Sequence, residues 1–128
     1  MATVKSHTDL SQSKTLSKIL PLESADQTWE RIAIAGANLD VPEELQYRHN
    51  GDMLFQYYSG IGTPCWSLEA MLNILPDGIN VIKDKSDTEN EKYMCTVEGT
   101  NDIITTFGNN PVDACYEIII KLHELNLL

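Results

Sequence analysis

The chain predicts a small α+β fold. It should hold a three-stranded antiparallel sheet, with N-terminal, central and C-terminal helices and an aromatic-rich irregular or hairpin segment. Three observations carry this expectation. Leu68, Met71, Leu72 and Leu75 fall at i, i+3, i+4 and i+7 between Ser67 and Pro76, the signature of a short amphipathic helix. Beyond Pro76, the runs Ile79–Lys83, Tyr93–Val97 and Ile103–Phe107 alternate as half-buried strands do. Short connections between them favour an antiparallel meander. Finally, Asn110-Pro111-Val112-Asp113 opens a last helix, with Asn110 as N-cap, Pro111 at the first helical position and Asp113 near the positive dipole end.

The elements follow in order. Residues 1–8 are small and polar and are expected to fray. Thr8 or Asp9 caps a first helix running through Leu20, with Pro21 ending it. Its apolar stripe of Leu10, Leu16, Ile19 and Leu20 is thin, so it needs tertiary support or a partner chain. From Leu22 to Gly62 the signals conflict. Ser24–Trp29 reads as a turn or a short capped helix, Ile32–Ala35 as a short strand and Asn38–Pro42 as a loop. Asn50-Gly51-Asp52 is a turn across which Leu45–Arg48 and Met53–Tyr58 could pair as a hairpin; the alternative is a long irregular excursion. Ser59-Gly60-Ile61-Gly62 re-aims the chain towards Trp66, and Ser67 then caps the central helix, with Glu69 in its first turn.

The charged run 84–92 is an exposed loop, and Glu98–Asp102 is a turn. On the last helix Val112, Cys115, Ile118, Ile119, Leu122 and Leu125 mark the buried face. Tyr116 and Ile120 add a second apolar edge. That helix either lies between the sheet and the Trp66 helix or also supports a subunit interface, so a homo-oligomer is expected.

Length and composition set the outer bounds. At 128 residues, the chain suits a single domain over 1–128, with 42% hydrophobic and 22% charged residues. A formal net charge of −10, with nine scattered Lys and Arg, disfavours a general role as a duplex nucleic-acid binder. The acidity reads either as solubility or as an acidic face that competes with nucleic acid for a basic protein. Cys65, Cys95 and Cys115 show no CxxC spacing and suit a reducing cytosol. With no apolar leader and no run of transmembrane length, a soluble cytoplasmic protein away from the membrane is expected.

Chemistry-bearing constellations are few. His7, His49 and His123 read as surface residues, and no nucleophile–base pair is apparent. Cys65 reads as a small half-buried residue, and Cys95 and Cys115 as core. Asp84, Asp87, Glu89 and Glu91 lack the glycine and terminal Glu of an EF-hand loop. No P-loop or GxGxxG occurs, so the expectation is a non-enzyme with no catalytic set, no metal and no cofactor.

What remains is aromatic. Trp29, Tyr47, Phe55, Tyr57, Tyr58 and Trp66 all precede the regular half. They either fill a core or stack on a planar base, with N–H groups near Ser67 to Glu69 receiving a phosphate. Glu69 argues against a phosphate directly at that spot. Arg31 and Arg48, the only arginines, flank the region and suit bidentate phosphate pairing. The candidate ligand-binding residues are therefore Trp66, Ser67, Arg48, Arg31, Tyr57, Tyr58 and Trp29.

Three segments together resemble a known family. They are Leu10-Ser11-Gln12-Ser13-Lys14 with Ser24-Ala25-Asp26, then Pro64-Cys65-Trp66-Ser67-Leu68 with Leu75-Pro76, and then Asn110-Pro111-Val112-Asp113-Ala114 with Leu122. Their order and spacing resemble a family of small uncharacterised proteins of phages and prophages from gut Bacteroidetes-type bacteria. The resemblance implies a setting in the host cytoplasm, where small phage proteins often act by binding. The function expected is a phage counter-defence protein that binds and sequesters a nucleotide-type immune signal without cleaving it. The alternative is an acidic protein inhibitor that docks on a host factor.

Overall fold

A computed structural model describes residues 5–31, 43–47, 62–84, 92–99 and 102–128. The chain divides into two compact units, one of Asp9–Ser67 and one of Met1–Thr8 with Leu68–Leu128. Each holds one antiparallel sheet of three strands, so the α+β expectation is met, with a second sheet in addition.

The Asp9–Ser67 unit begins with α1 (Leu10–Leu16). Asp9 caps it through a reciprocal box: its carboxylate accepts the Gln12 N–H at 2.8 Å, and Gln12 Oε1 accepts the Asp9 N–H at 3.0 Å. The helix stops at Leu16 rather than Leu20. Ser17 closes it, its hydroxyl donating to Lys14 O at 2.8 Å, and a tighter turn carries the chain to the buried Leu20. Pro21 disfavours helical backbone at Leu20, and Leu16 and Leu20 already reach the core in this turn.

Ser24–Trp29 is neither a turn nor a helix throughout. A 3₁₀ turn at Leu22–Ser24 leads into strand β1 (Gln27–Arg31). β1 is central, flanked by β2 (Glu43–Tyr47) and β3 (Gly62–Cys65) in the order β2-β1-β3. Pairing on both sides overrides the weak local preference of this segment, because β propensity expresses neighbours more than backbone. Pro64 sits in β3 opposite Thr28, at the sheet's edge, where a missing N–H need not break a ladder. α1 packs against β3.

The Leu45–Tyr47 flank of the expected hairpin lies in β2 and pairs with β1. Its other flank, Met53–Tyr58, lies outside the described residues, as do the Asn50-Gly51 turn, Ile32–Ala35 and Asn38–Pro42.

The second unit contains α2 (Leu68–Ile74), β4 (Asn80–Asp84), β5 (Lys92–Glu98), β6 (Ile103–Gly108) and α3 (Pro111–Glu124). The meander β4-β5-β6 is the expected one, with Ile82, Met94 and Phe107 in one rank across its three strands. α3 packs on this sheet and on α2. Asn110 caps α3 as expected, accepting the Asp113 N–H at 2.9 Å. Its far end closes at Asn126 (φ 56°), with Asn126 N–H to His123 O at 3.0 Å and Leu127 N–H to Leu122 O at 2.9 Å. That is a Schellman closure, and Asn tolerates its left-handed position.

Val112, Ala114, Cys115, Ile118, Ile119 and Leu122 are buried, which satisfies most of the apolar circumference of α3. Leu125 lies beyond the last turn and is exposed. On α2 the buried residues are Ala70 and Met71, with Leu75 just beyond; Leu72, expected inside, is exposed. With only seven residues, a small rotation of the helix exchanges the small Ala70 for Leu72 on the packed side.

Residues 5–8 do not fray. Lys5 Nζ pairs with Asp113 Oδ1 at 2.7 Å, Ser6 O accepts the Leu68 N–H at 3.1 Å, and Thr8 is fully buried.

Two details lock α3 to β6. Thr106 donates its hydroxyl to Ala114 O at 2.8 Å. Gly108 lies so near the helix start that a Cβ there would stand 2.4 Å from Ala114 N. Cys95 and Cys115 are fully buried, and their thiols are neighbours in the core. The neighbouring Cys95 thiol, with burial adding to it, holds the Cys115 thiol well above its ordinary range, so it stays protonated and acts as core.

Candidate functional site

The residues around Trp66 form a polar clasp within the Asp9–Ser67 unit. Trp66 follows β3 directly and has no exposed surface. Its indole Nε1–H donates to Ser24 Oγ at 2.9 Å, and Ser24 in turn donates to Pro21 O. A buried indole N–H requires such an acceptor. Next to it, Asp26 receives the backbone N–H of Ser67 on Oδ1 at 2.9 Å and the Ser67 hydroxyl on Oδ2. The Asp26 N–H donates to Cys65 O at 3.3 Å. The 3₁₀ turn and the end of β3 are thus tied through one carboxylate.

This arrangement bears on the expected phosphate position. The Ser67 N–H and hydroxyl face an anion supplied by the chain itself, and a phosphate directly at this point would meet the Asp26 carboxylate. A cavity of about 190 Å³ lies beside Trp66, lined by Ser17, Leu20, Leu22, Pro64 and Trp66. Sites for drug-sized ligands run from about 300 Å³ upward, so this cavity does not admit a dinucleotide. Trp66 takes the core role that its sequence left as one of two alternatives. No sequence motif marks Asp26, although it stands two residues past Ser24 in a segment rich in caps. Replacing Asp26 with Ala removes a carboxylate holding two donors. It is expected to destabilise the protein by about 2 kcal/mol, read from a denaturant titration.

The other aromatic–arginine set falls on β1. Strand alternation puts Gln27, Trp29 and Arg31 at positions of one sheet face and Thr28 and Glu30 at positions of the other. Across the ladder, Tyr47 stands opposite Gln27, Leu45 opposite Trp29 and Glu43 opposite Arg31. Cys65 and Thr63 face Gln27 and Trp29 from β3. Two aromatic positions and an arginine position therefore share one face. Trp29 is half-buried. Thr28, on the opposite face, is buried, and its hydroxyl has no hydrogen-bond partner among the described residues.

The remaining candidates distribute as follows. Arg48, Tyr57 and Tyr58 lie outside the described residues. Cys65 is fully buried rather than half-buried, because β3 packs against α1. His123 is exposed on α3, and His7 lies within 3.0 Å of Ser6 Oγ through Nδ1. Among the described residues, no group of three or more His, Cys, Asp and Glu side chains converges as a metal site would require. Residues 85–91 of the acidic run lie outside that set. No helix among the described residues is long and apolar enough to cross a membrane. Comparison with protein-family models, curated proteins and solved structures finds no match to this chain.

Proposed function

We propose that this chain is a non-catalytic binding protein that takes a nucleotide-type ligand on the Gln27–Trp29–Arg31 face of β1. The observation that carries this reading is the alternation of Trp29 and Arg31 on one sheet face, with Tyr47 at the neighbouring β2 position. An indole is a surface on which a base stacks, and an arginine position two residues along the same face suits a phosphate. The spacing of about 7 Å between alternate strand positions suits a base and its attached phosphate. Arg48, Tyr57 and Tyr58 remain the further contacts that the sequence nominates.

In the phage setting that the family resemblance implies, such a protein acts by sequestering a nucleotide immune signal in the host cytoplasm and holding it intact. The test is a thermal-shift screen of the full chain against cyclic di- and trinucleotides and ADP-ribose derivatives, with mass spectrometry of the recovered compound. A shift of several degrees with unaltered compound is expected. Trp29→Ala or Arg31→Ala is expected to weaken that binding by about tenfold or more, consistent with the loss of one stacked base or one charged pair. Chemically altered compound, or no shift with any of them, rejects this function.

The net charge of −10 favours a second reading, an acidic protein that docks on a basic host factor. It predicts no small-molecule shift, and a protein association that weakens steeply with salt.

A further inference from the structure

We infer that β6 is a self-recognition edge, through which two copies of this chain pair to make one continuous six-stranded sheet. This does not depend on the nucleotide reading. β6 and β4 are the two edges of the β4-β5-β6 sheet, and their chemistry differs. β4, Asn80-Val81-Ile82-Lys83-Asp84, carries a lysine and an aspartate, which discourage strand addition. β6, Ile103-Ile104-Thr105-Thr106-Phe107-Gly108, has no charge, no proline and a run of β-branched and aromatic residues. Its outer row of N–H and C=O groups has no strand partner among the described residues.

The occupant is specified by the strand's own pattern. In an antiparallel pair centred on Thr105, Ile103 of each copy stands opposite Phe107 of the other, and Thr105 stands opposite its own equivalent. Ile103 is 68% exposed and Phe107 50% exposed, large values for apolar side chains on a regular strand. Both lie on the same face as Met94 and Ile82, which share the rank of Phe107. Pairing therefore extends an Ile82–Met94–Phe107 row by an isoleucine from the second copy, once in each direction. The contact is isologous, as a two-fold dimer requires. A chain with a net charge of −10 repels its own copies over most of its surface, and the uncharged β6 edge is where two copies meet at least cost. The apolar circumference of α3 is largely used within its own unit, so β6 takes over the interface role that the sequence gave to that helix.

The test is light scattering of the full chain without ligand, over roughly 1–100 μM, the range in which a modest interface dissociates. A dimer is expected. Ile103→Glu places a carboxylate opposite an aromatic ring twice over and is expected to weaken the dimer at least about tenfold, with an unchanged far-UV spectrum. Combining Ile103→Lys with Phe107→Glu sets opposite charges across both pairs and is expected to recover the dimer. Thr105→Cys should give a disulfide-linked dimer on mild oxidation, while Ser11→Cys, exposed on α1, should not. A monomer throughout, a dimer indifferent to Ile103→Glu, or no cross-link through Thr105→Cys overturns the proposal.

Discussion

Trp66→Ala is expected to lower the stability of the protein by about 3–5 kcal/mol, the range for truncating a fully buried large aromatic side chain. Trp66 has no exposed surface, and its loss would enlarge the cavity of about 190 Å³ that it already lines. The substitution also leaves Ser24 Oγ without its indole donor. Trp66→Phe keeps most of the packing and loses only that bond and part of the ring, so about 1–2 kcal/mol is expected. Thermal denaturation separates the cases, with a drop of more than about 10 °C for Ala and a smaller one for Phe. Normal melting of Trp66→Ala would show that the buried indole and its bond to Ser24 carry no stability. This also changes how binding variants are read. A ligand lost with Trp66→Ala reports on folding, whereas one lost with Trp29→Ala in a normally melting protein reports on the β1 face.

Gly108→Ala is expected to cost about 3 kcal/mol, at the upper end for overpacking. The added Cβ would stand 2.4 Å from Ala114 N and 2.8 Å from Asp113 C, and these are backbone atoms at the start of α3. Relief requires moving the helix, which would strain the Thr106–Ala114 bond and the buried Cys95–Cys115 contact. Gly78 provides the contrast. A Cβ there meets nothing within 4 Å, but its φ of +85° is unfavourable to L side chains. Gly78→Ala is therefore expected to cost about 1 kcal/mol from backbone conformation alone. Denaturant midpoints of the two variants compare a steric cost with a conformational one. Equal losses would count against the close approach of α3 to β6.

The two halves of the chain differ in how far their sequence could be read. From Pro76 onward, each element carries its own instructions: alternation for three strands, then Asn110, Pro111 and Asp113 for the start of α3. The connections are short, so local pattern and tertiary partner agree, and the meander follows in order. Leu125 was the exception, because the Asn126 closure ends the helix before that position can turn inward.

Earlier in the chain, β1 is paired with residues 43–47 on one side and 62–65 on the other. Its strand character comes from partners distant in sequence, and no local signal near Gln27 announces them. The aromatic and arginine candidates could be named from composition. That Trp29 and Arg31 share a face with Tyr47 depends on the register of a ladder, and a shift of one residue would have separated Tyr47 from them.

By itself, the sequence determined the α+β class, the capped starts of α1 and α3, the three-stranded meander and the absence of charge from β6. Periodicity and end chemistry act over a few residues, so they survive without knowledge of the fold. Tertiary structure decided that Trp66 is core, that Asp26 occupies the anion position beside Ser67, that a second sheet forms around β1, and that β6 is left at an edge. Each of these depends on which distant segments meet, and on a burial or a pairing that only their meeting creates.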